Sequence, residues 1–258
     1  MISISKKMYI LKLLFFPFSL LYKFYFVIIF GLLMIILYPV YYIVLTRRRL
    51  FQTGFIIIRF HAYLLCIFGF IYIKGINKKN IPQTGPFIIC ANHTSFIDIL
   101  CIYVTFKKYF VFTGKKEIEK WPLFHIFYTS GMNILVDRHS KKGAYKAFKE
   151  MANVIDQKHS LMIFPEGTIS NTAPNMGEFK SGAFTIAIQK KVPILPITLI
   201  NNWKLFGKGN ILLTKARPGI AKVVIHPLVY TNSLSDQDTV ILPFIIRDII
   251  KEPLKSNK

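Results

Sequence analysis

Cys90-Ala91-Asn92-His93-Thr94-Ser95-Phe96-Ile97-Asp98 is the stretch around which the rest of this 258-residue chain is organised. The apolar run before it predicts a buried strand, and the apolar run after it predicts the start of a helix. We expect Ser95 to cap that helix, with Asp98 three residues later. The Asp98 carboxylate can then reach one imidazole nitrogen of His93 and leave the other facing a cleft. A histidine held in one tautomer by an aspartate is a general base that works near neutral pH. The alternative is that Asp98 only completes a capping box and His93 is an ordinary loop histidine.

The composition indicates a membrane segment attached to one globular domain. Hydrophobic residues make up 53% of the chain, which is high for a soluble domain. The net charge is +22, from 34 basic and 12 acidic residues. Such an excess favours an anionic partner, either lipid headgroups or a phosphorylated substrate. We do not expect nucleic acid, because the basic residues are scattered among apolar runs and no nucleic-acid-binding module is visible.

The cysteine and histidine pattern argues against a disulfide framework and against a metal site. Cys66, Cys90 and Cys101 form no CxxC motif and lie in apolar surroundings, so we expect free, buried thiols and a reducing compartment. No cluster of histidine, cysteine and carboxylate residues has metal-ligand spacing.

The N-terminal third predicts helices embedded in a membrane. Leu13 to Leu45 carries Lys23 as its only charge, and its core is long enough to cross a bilayer. Arg47-Arg48-Arg49 follows and prefers the cytoplasmic side. The second apolar segment, residues 55–73, contains Arg59 and His61, which favours a helix in the interface with its charges reaching the headgroups. Two buried core helices are the alternative, and the sequence leaves open one span or a two-helix hairpin.

From residue 75 onward, apolar runs alternate with helical stretches, which is typical of an α/β fold. We predict a mixed central sheet flanked by helices, with residues 1–74 as N-terminal membrane-anchoring helices and residues 75–258 as the α/β domain. The predicted strands are Phe87–Ala91, Tyr109–Thr113, Asn133–Val136, Ser160–Phe164, Ile194–Thr198, Asn210–Leu213 and Lys222–Ile225. The predicted helices are Ile97–Tyr103, Pro122–Ser130, Lys142–Gln157, Gly182–Gln189 and Thr239–Ile250.

A second candidate site follows two of these strands. Ser160–Phe164 leads into Pro165-Glu166-Gly167-Thr168, a glycine-containing turn whose backbone N–H groups suit a phosphate or an oxyanion. Asn133–Val136 leads into Asp137-Arg138, and a guanidinium can clamp a phosphate. Considered alone, an arginine such as Arg138 is more often a surface salt-bridge partner.

Four stretches together resemble the glycerolipid acyltransferases, in order and in spacing. They are Asn92 to Asp98; Lys115-Lys116-Glu117-Ile118 leading to Gly131 and Val136-Asp137-Arg138; Phe164 to Thr168; and Val192 to Ile197. The resemblance covers about residues 85–200 and is to the 1-acylglycerol-3-phosphate acyltransferase branch. The apolar N-terminus is similar to the membrane-embedded helices of that family.

The resemblance implies a specific reaction. His93 would take the proton from the free hydroxyl of a lysophospholipid acceptor, and Asp98 would orient the imidazole. The acceptor oxygen would attack the thioester of acyl-CoA or acyl carrier protein, giving phosphatidic acid on the cytoplasmic face of the inner membrane. Glu166, Gly167 and Thr168 would position the glycerol phosphate, with Arg138 nearby. No cofactor or metal is implied.

One position departs from the family pattern. The family usually has an arginine that binds the acceptor phosphate directly after the threonine, and this chain has Ile169. Lys180, or Lys115 and Lys116, can supply the missing charge. Alternatively, the acceptor is another lysolipid. Two further hypotheses are a thioester hydrolase that activates water with His93, and a non-catalytic basic scaffold on the membrane.

Overall fold

The computed structural model describes the backbone of residues 4–209 and 214–255, and the side chains in those ranges from residue 17 onward. The described residues form one seven-stranded sheet. Its strands are β1 (Ile71–Ile76), β2 (Ile88–Ala91), β3 (Phe110–Lys115), β4 (Ile134–Val136), β5 (Ser160–Ile163), β6 (Ile194–Leu199) and β7 (Gly219–Ile225). The strand order is β1-β7-β6-β2-β5-β3-β4.

The sheet is mixed, as predicted. Only β6 and β7 pair antiparallel, whereas the other neighbours pair parallel. The carboxyl ends of β4, β3, β5, β2 and β6 therefore lie at one edge, where ligands bind in open α/β sheets. The described α-helices are α1 (Ile4–Leu45), α2 (Phe51–Phe68), α3 (Asp98–Thr105), α4 (Ile126–Thr129), α5 (Lys141–Asp156), α6 (Gly182–Gln189), α7 (Asn202–Leu205) and α8 (Leu242–Lys255).

Both faces of the sheet are buried, which explains why its strands read as continuous apolar runs. In β2, Ile89 and Ala91 join a core cluster with residues of α1, α2 and α3. Ile88 and Cys90 point the other way and join a cluster with residues of α5, α6 and α8. This assignment follows from the period of two along a strand. Cys66, Cys90 and Cys101 are free and buried, as predicted.

The first two helices form an antiparallel hairpin. The Tyr22 hydroxyl donates to the Gly69 carbonyl (2.6 Å), and the Tyr41 hydroxyl lies 2.8 Å from Nδ1 of His61. By length and hydropathy, residues 17–45 and 48–68 are long and apolar enough to cross a membrane. Large apolar side chains of α1 remain exposed, among them Phe18, Leu21 and Ile36.

Arg59 and His61, the two polar residues inside the apolar stretch of α2, both contact protein groups. The prediction that their charges reach the headgroups is wrong for the buried His61 and stays a prediction for the half-buried Arg59. His61 is buried between the two helices, and Nε of Arg59 donates to the Tyr103 carbonyl (3.0 Å). A polar group buried in an apolar contact needs a hydrogen-bond partner, and α1 and α3 supply these partners.

Strand β1 was missed by the sequence analysis, because the apolar run of α2 continues into it. The helix ends at Phe68, and Phe70 takes a left-handed φ of 50°, which turns the chain into a strand that pairs with β7. The predicted domain boundary between residues 74 and 75 falls inside β1. The division into two domains stays a prediction.

Two other predicted elements differ. A helix is predicted over Pro122–Ser130, but only the four residues of α4 are helical in this stretch. Leu123 adopts a φ of 65°, which a right-handed helix does not accommodate. The last helix begins at Leu242 rather than at Thr239, which closes a preceding 3₁₀ turn. The predicted strand Asn210–Leu213 lies outside the described residues.

Candidate active site

The predicted site residues gather where the parallel strands end. His93 follows β2, Glu166 follows β5 and Arg138 follows β4. We call Asn92–Ser95 the histidine turn and Pro165–Thr168 the acidic turn. The two turns are neighbours because β2 and β5 are paired. His93 and Glu166 are 73 positions apart in the sequence, so it is the pairing of the strands that brings the two turns together.

The predicted contact between His93 and Asp98 is present. Nδ1 of His93 lies 2.8 Å from Oδ2 of Asp98, and Asp98 is fully buried. Because a carboxylate oxygen only accepts hydrogen bonds, Nδ1 carries the hydrogen in this pair. In a neutral imidazole, Nε2 then keeps its lone pair and is able to accept a proton. The His93 side chain is 13% exposed, so part of the ring is accessible.

The Asp98 carboxylate is held by three further donors. Oδ2 accepts from the backbone N–H groups of Thr94 (2.6 Å) and Ser95 (2.8 Å), and Oδ1 accepts from Nδ2 of Asn202 (2.7 Å). The predicted capping contacts of Ser95 are present, although α3 is assigned only from Asp98 onward. The Ser95 Oγ accepts from the backbone N–H of Ile97 (3.2 Å), and the Ser95 N–H donates to Oδ2 of Asp98. The Ser95 hydroxyl also donates to the Phe206 carbonyl, which adds a tertiary contact.

Glu166 joins three loops together. Its Oε1 accepts from the backbone N–H of His93 (2.8 Å), and its Oε2 accepts from the backbone N–H of Gly177 (2.8 Å). The side chain is buried, and burial raises its pKa above the ordinary range for a glutamate, while the two N–H donors oppose that rise. Both carboxylate oxygens are engaged by backbone, so Glu166 positions the histidine turn in this structure.

Two more contacts fix the histidine ring. The rings of His93 and Phe164 are stacked, with centroids 3.9 Å apart and planes 8° apart. The His93 carbonyl accepts from the backbone N–H of Ser170 (2.8 Å), which follows the acidic turn. The imidazole is therefore held through its face and through Nδ1, and the backbone N–H and C=O groups of His93 are both hydrogen-bonded. Such restraint is what a positioned general base requires.

Cations surround the acidic turn. Gly167 has a left-handed φ of 73°, and a methyl group on its Cα would lie 2.6 Å from Nη1 of Arg138. The guanidinium therefore packs on the backbone of the turn, and burial lowers its pKa. Among the described residues, Arg138 makes no hydrogen bond. Nζ of Lys115, at the end of β3, donates to Oγ1 of Thr168 (3.1 Å).

The other predicted cations are placed differently. Lys116 pairs with Asp137 at 2.9 Å in an exposed ion pair. Lys180 is exposed, and its backbone N–H donates to the Pro165 carbonyl (3.0 Å) at the start of the acidic turn. Of the described side chains, that of Lys180 makes no hydrogen bond to the turn. Its predicted role in binding phosphate stays a prediction, as do the catalytic roles of His93 and Asp98 and the absence of a metal or cofactor.

Sequence reasoning missed two residues of this edge. Asn202 contacts Asp98, and Nζ of Lys208 donates to the Ile169 carbonyl (2.7 Å). Both residues follow β6, whose carboxyl end lies beside that of β2. The signal for Asn202 was the pair Asn201-Asn202 directly after an apolar strand, because polar residues at that point lie at the edge where the other turns meet.

Comparison with known proteins gives concordant results. Residues 72–200 match the family model described as Acyltransferase. The 1-acyl-sn-glycerol-3-phosphate acyltransferase of Helicobacter pylori is 34% identical over 151 residues, which are 57% of this chain and 63% of that protein. That of Borreliella burgdorferi is 32% identical over 199 residues, 75% of this chain and 78% of that protein. The crystal structure of the 1-acyl-sn-glycerophosphate (LPA) acyltransferase PlsC from Thermotoga maritima superposes with a TM-score of 0.76 at 22% identity, covering 92% of this chain and 95% of that one.

Proposed function

This chain belongs to the acyltransferase family, and from that premise we propose that it transfers a fatty acyl group to the free hydroxyl of 1-acylglycerol 3-phosphate. The product is phosphatidic acid, and the donor is acyl-CoA or acyl carrier protein. The motif-based resemblance to the family is confirmed by these relatives. The names of the relatives support the acceptor, and the geometry around His93 supports the mechanism.

The observation that carries the mechanism is the 2.8 Å contact between Nδ1 of His93 and Oδ2 of Asp98 beside the acidic turn. Nε2 of His93 takes the proton of the acceptor hydroxyl as its oxygen attacks the thioester carbonyl carbon. The C–O bond forms, the C–S bond breaks, and the imidazolium returns its proton to the leaving thiolate. Asp98 stabilises the charged ring. No covalent bond to the enzyme is required.

The chain acts at a membrane in this proposal. Its acceptor and product are lipids, and α1 and α2 are apolar enough to lie in a bilayer. The net charge of +22 attracts an anionic leaflet. Arg47, Arg48 and Arg49 connect the two helices, and arginine clusters of this kind remain on the cytoplasmic side. The active site accordingly lies on the cytoplasmic face of the inner membrane.

The test is acyl transfer by the purified full chain in mixed micelles. Wild type and His93→Ala are assayed with labelled oleoyl-CoA, or oleoyl-acyl carrier protein, and 1-oleoylglycerol 3-phosphate. We expect the variant to lose a factor of about 100 to 10,000 in rate while unfolding at the wild-type temperature. His159→Ala is the matched control, because His159 precedes β5 at the opposite edge of the sheet. Near-wild-type transfer by His93→Ala would refute the mechanism.

Ile169 favours a second candidate, the same chemistry on a different lysolipid. A panel of lysophosphatidate, lysophosphatidylcholine and lysophosphatidylethanolamine separates the two acceptor classes. Omitting the acceptor tests the hydrolase hypothesis, since a hydrolase releases free oleate at the full rate without it.

A further inference from the structure

Lys208 lies on a loop that is tied to the histidine turn. The loop follows α7, and Gly207 forms an antiparallel bridge with Ser95. The Ser95 hydroxyl also donates to the carbonyl of Phe206. Lys208 is eight residues beyond the segment that matches the family model. Its position near the site therefore comes from tertiary contacts alone.

The Lys208 ammonium contacts Ile169, the residue directly after the acidic turn. Nζ donates to the carbonyl of Ile169 at 2.7 Å, and the next residue, Ser170, donates its N–H to the His93 carbonyl. The Ile169 side chain is buried and carries no charge. An ammonium has three donors, so this contact anchors Lys208 and leaves two donors for a ligand.

Three cations are thereby collected around one turn. Lys115 donates to Thr168, Arg138 packs on Gly167, and Lys208 binds the carbonyl of Ile169. Burial lowers the pKa of Lys208, and the nearby charge of Lys115 lowers it further. The carboxylate of the turn, Glu166, is already occupied by two backbone N–H groups. A cluster of like charges of this kind suits a bound anion with several acceptor oxygens.

We propose that Lys208 determines acceptor specificity by binding the terminal phosphate of the lysolipid, in the place where residue 169 supplies no cation. A phosphate monoester carries nearly two negative charges and three acceptor oxygens, and so matches several cations at once. A lysolipid whose phosphate is a diester has one negative charge and fewer free oxygens, so the same cations contribute less to its binding. This inference rests on the proposed function for the identity of the acceptor.

The first experiment measures steady-state kinetics of Lys208→Met, Lys208→Arg and Lys251→Met. Lys251 is exposed on α8 and makes no hydrogen bond to the acidic turn among the described residues, so it controls for the loss of one charge. We expect Lys208→Met to raise the KM for 1-oleoylglycerol 3-phosphate roughly 10- to 100-fold, with a much smaller change in kcat. Lys208→Arg should keep most of the affinity, and Lys251→Met all of it.

The KM for the acyl donor is a second measurement, because the coenzyme A part of that substrate also carries phosphates. We expect the KM for oleoyl-CoA to stay unchanged in Lys208→Met. A rise in the donor KM with an unchanged acceptor KM would overturn the proposal. An unchanged KM for both substrates would overturn it as well.

Direct binding separates this inference from the proposed function. The dissociation constants of 1-oleoylglycerol 3-phosphate and of lysophosphatidylcholine are measured calorimetrically in micelles for wild type and Lys208→Met. Preference for the monoester in wild type, lost in the variant, supports the role of Lys208 even if no acyl transfer occurs. Equal preference in both proteins refutes that role even if transfer to lysophosphatidate is fast.

Discussion

Glu166 holds the histidine turn in place, and replacing it with glutamine tests this role without changing the size of the side chain. In the native protein two backbone N–H groups, of His93 and of Gly177, each meet one carboxylate oxygen at 2.8 Å. A glutamine has one carbonyl oxygen and one NH₂ group. One of the two backbone N–H groups would therefore still donate to an oxygen, now the neutral amide oxygen. The other would face the NH₂ group, which cannot accept its hydrogen bond.

The magnitude follows from these two contacts. A hydrogen bond to a charged group contributes about 1.5–3 kcal/mol, and a buried donor without a partner costs about 1–3 kcal/mol. Glutamine also removes the cost of burying a charge, which is the main reason that the pKa of Glu166 is raised. We expect Glu166→Gln to lower the free energy of unfolding by about 1–3 kcal/mol, or the Tm by about 2–10 °C. Because the imidazole moves with its backbone, kcat should fall by about 10- to 100-fold.

Thermal unfolding and acyl-transfer kinetics check this prediction at a temperature where all variants are folded. Glu178→Gln is the matched control, since Glu178 is exposed and adjoins Gly177. If Glu166→Gln has the Tm and kcat of the control, the two backbone contacts do not position His93. A fall in Tm with unchanged kcat would show that Glu166 stabilises the loops without placing the imidazole.

Three further predictions concern the same edge of the sheet. Asn202→Ala leaves one oxygen of the buried Asp98 without its donor, so the free energy of unfolding should fall by about 1–3 kcal/mol and the transfer rate should fall with it. Gly167→Ala puts a methyl group against Arg138 at a left-handed φ, so it should lower the Tm and raise the acceptor KM. Because the pKa of Lys208 is lowered, its ammonium loses its proton at a lower pH than an ordinary lysine does. The KM of the wild-type enzyme for lysophosphatidate should therefore rise in the alkaline range. In Lys208→Arg the same rise should occur at a higher pH. If the KM of the two proteins depends on pH in the same way, the prediction is contradicted.

What the sequence alone determined is local. His93 and Asp98 are five positions apart, and a strand that passes through a short turn into a helix brings the two side chains together whatever surrounds them. The α/β class followed from the alternation of apolar strands and helical stretches, which depends on burial of both sheet faces. The family was identifiable because four such local motifs occur in one order.

The tertiary structure decided the long-range contacts. Glu166 binds the backbone of His93 across 73 residues, and Asn202 binds Asp98 across 104. Strand β1 pairs with β7, and Lys208 reaches the carbonyl of Ile169. No periodicity or spacing encodes these pairs, because they depend on the order in which the strands assemble. A short turn restricts its own few dihedral angles, whereas a contact between distant loops exists only after the sheet has brought its carboxyl ends to one edge.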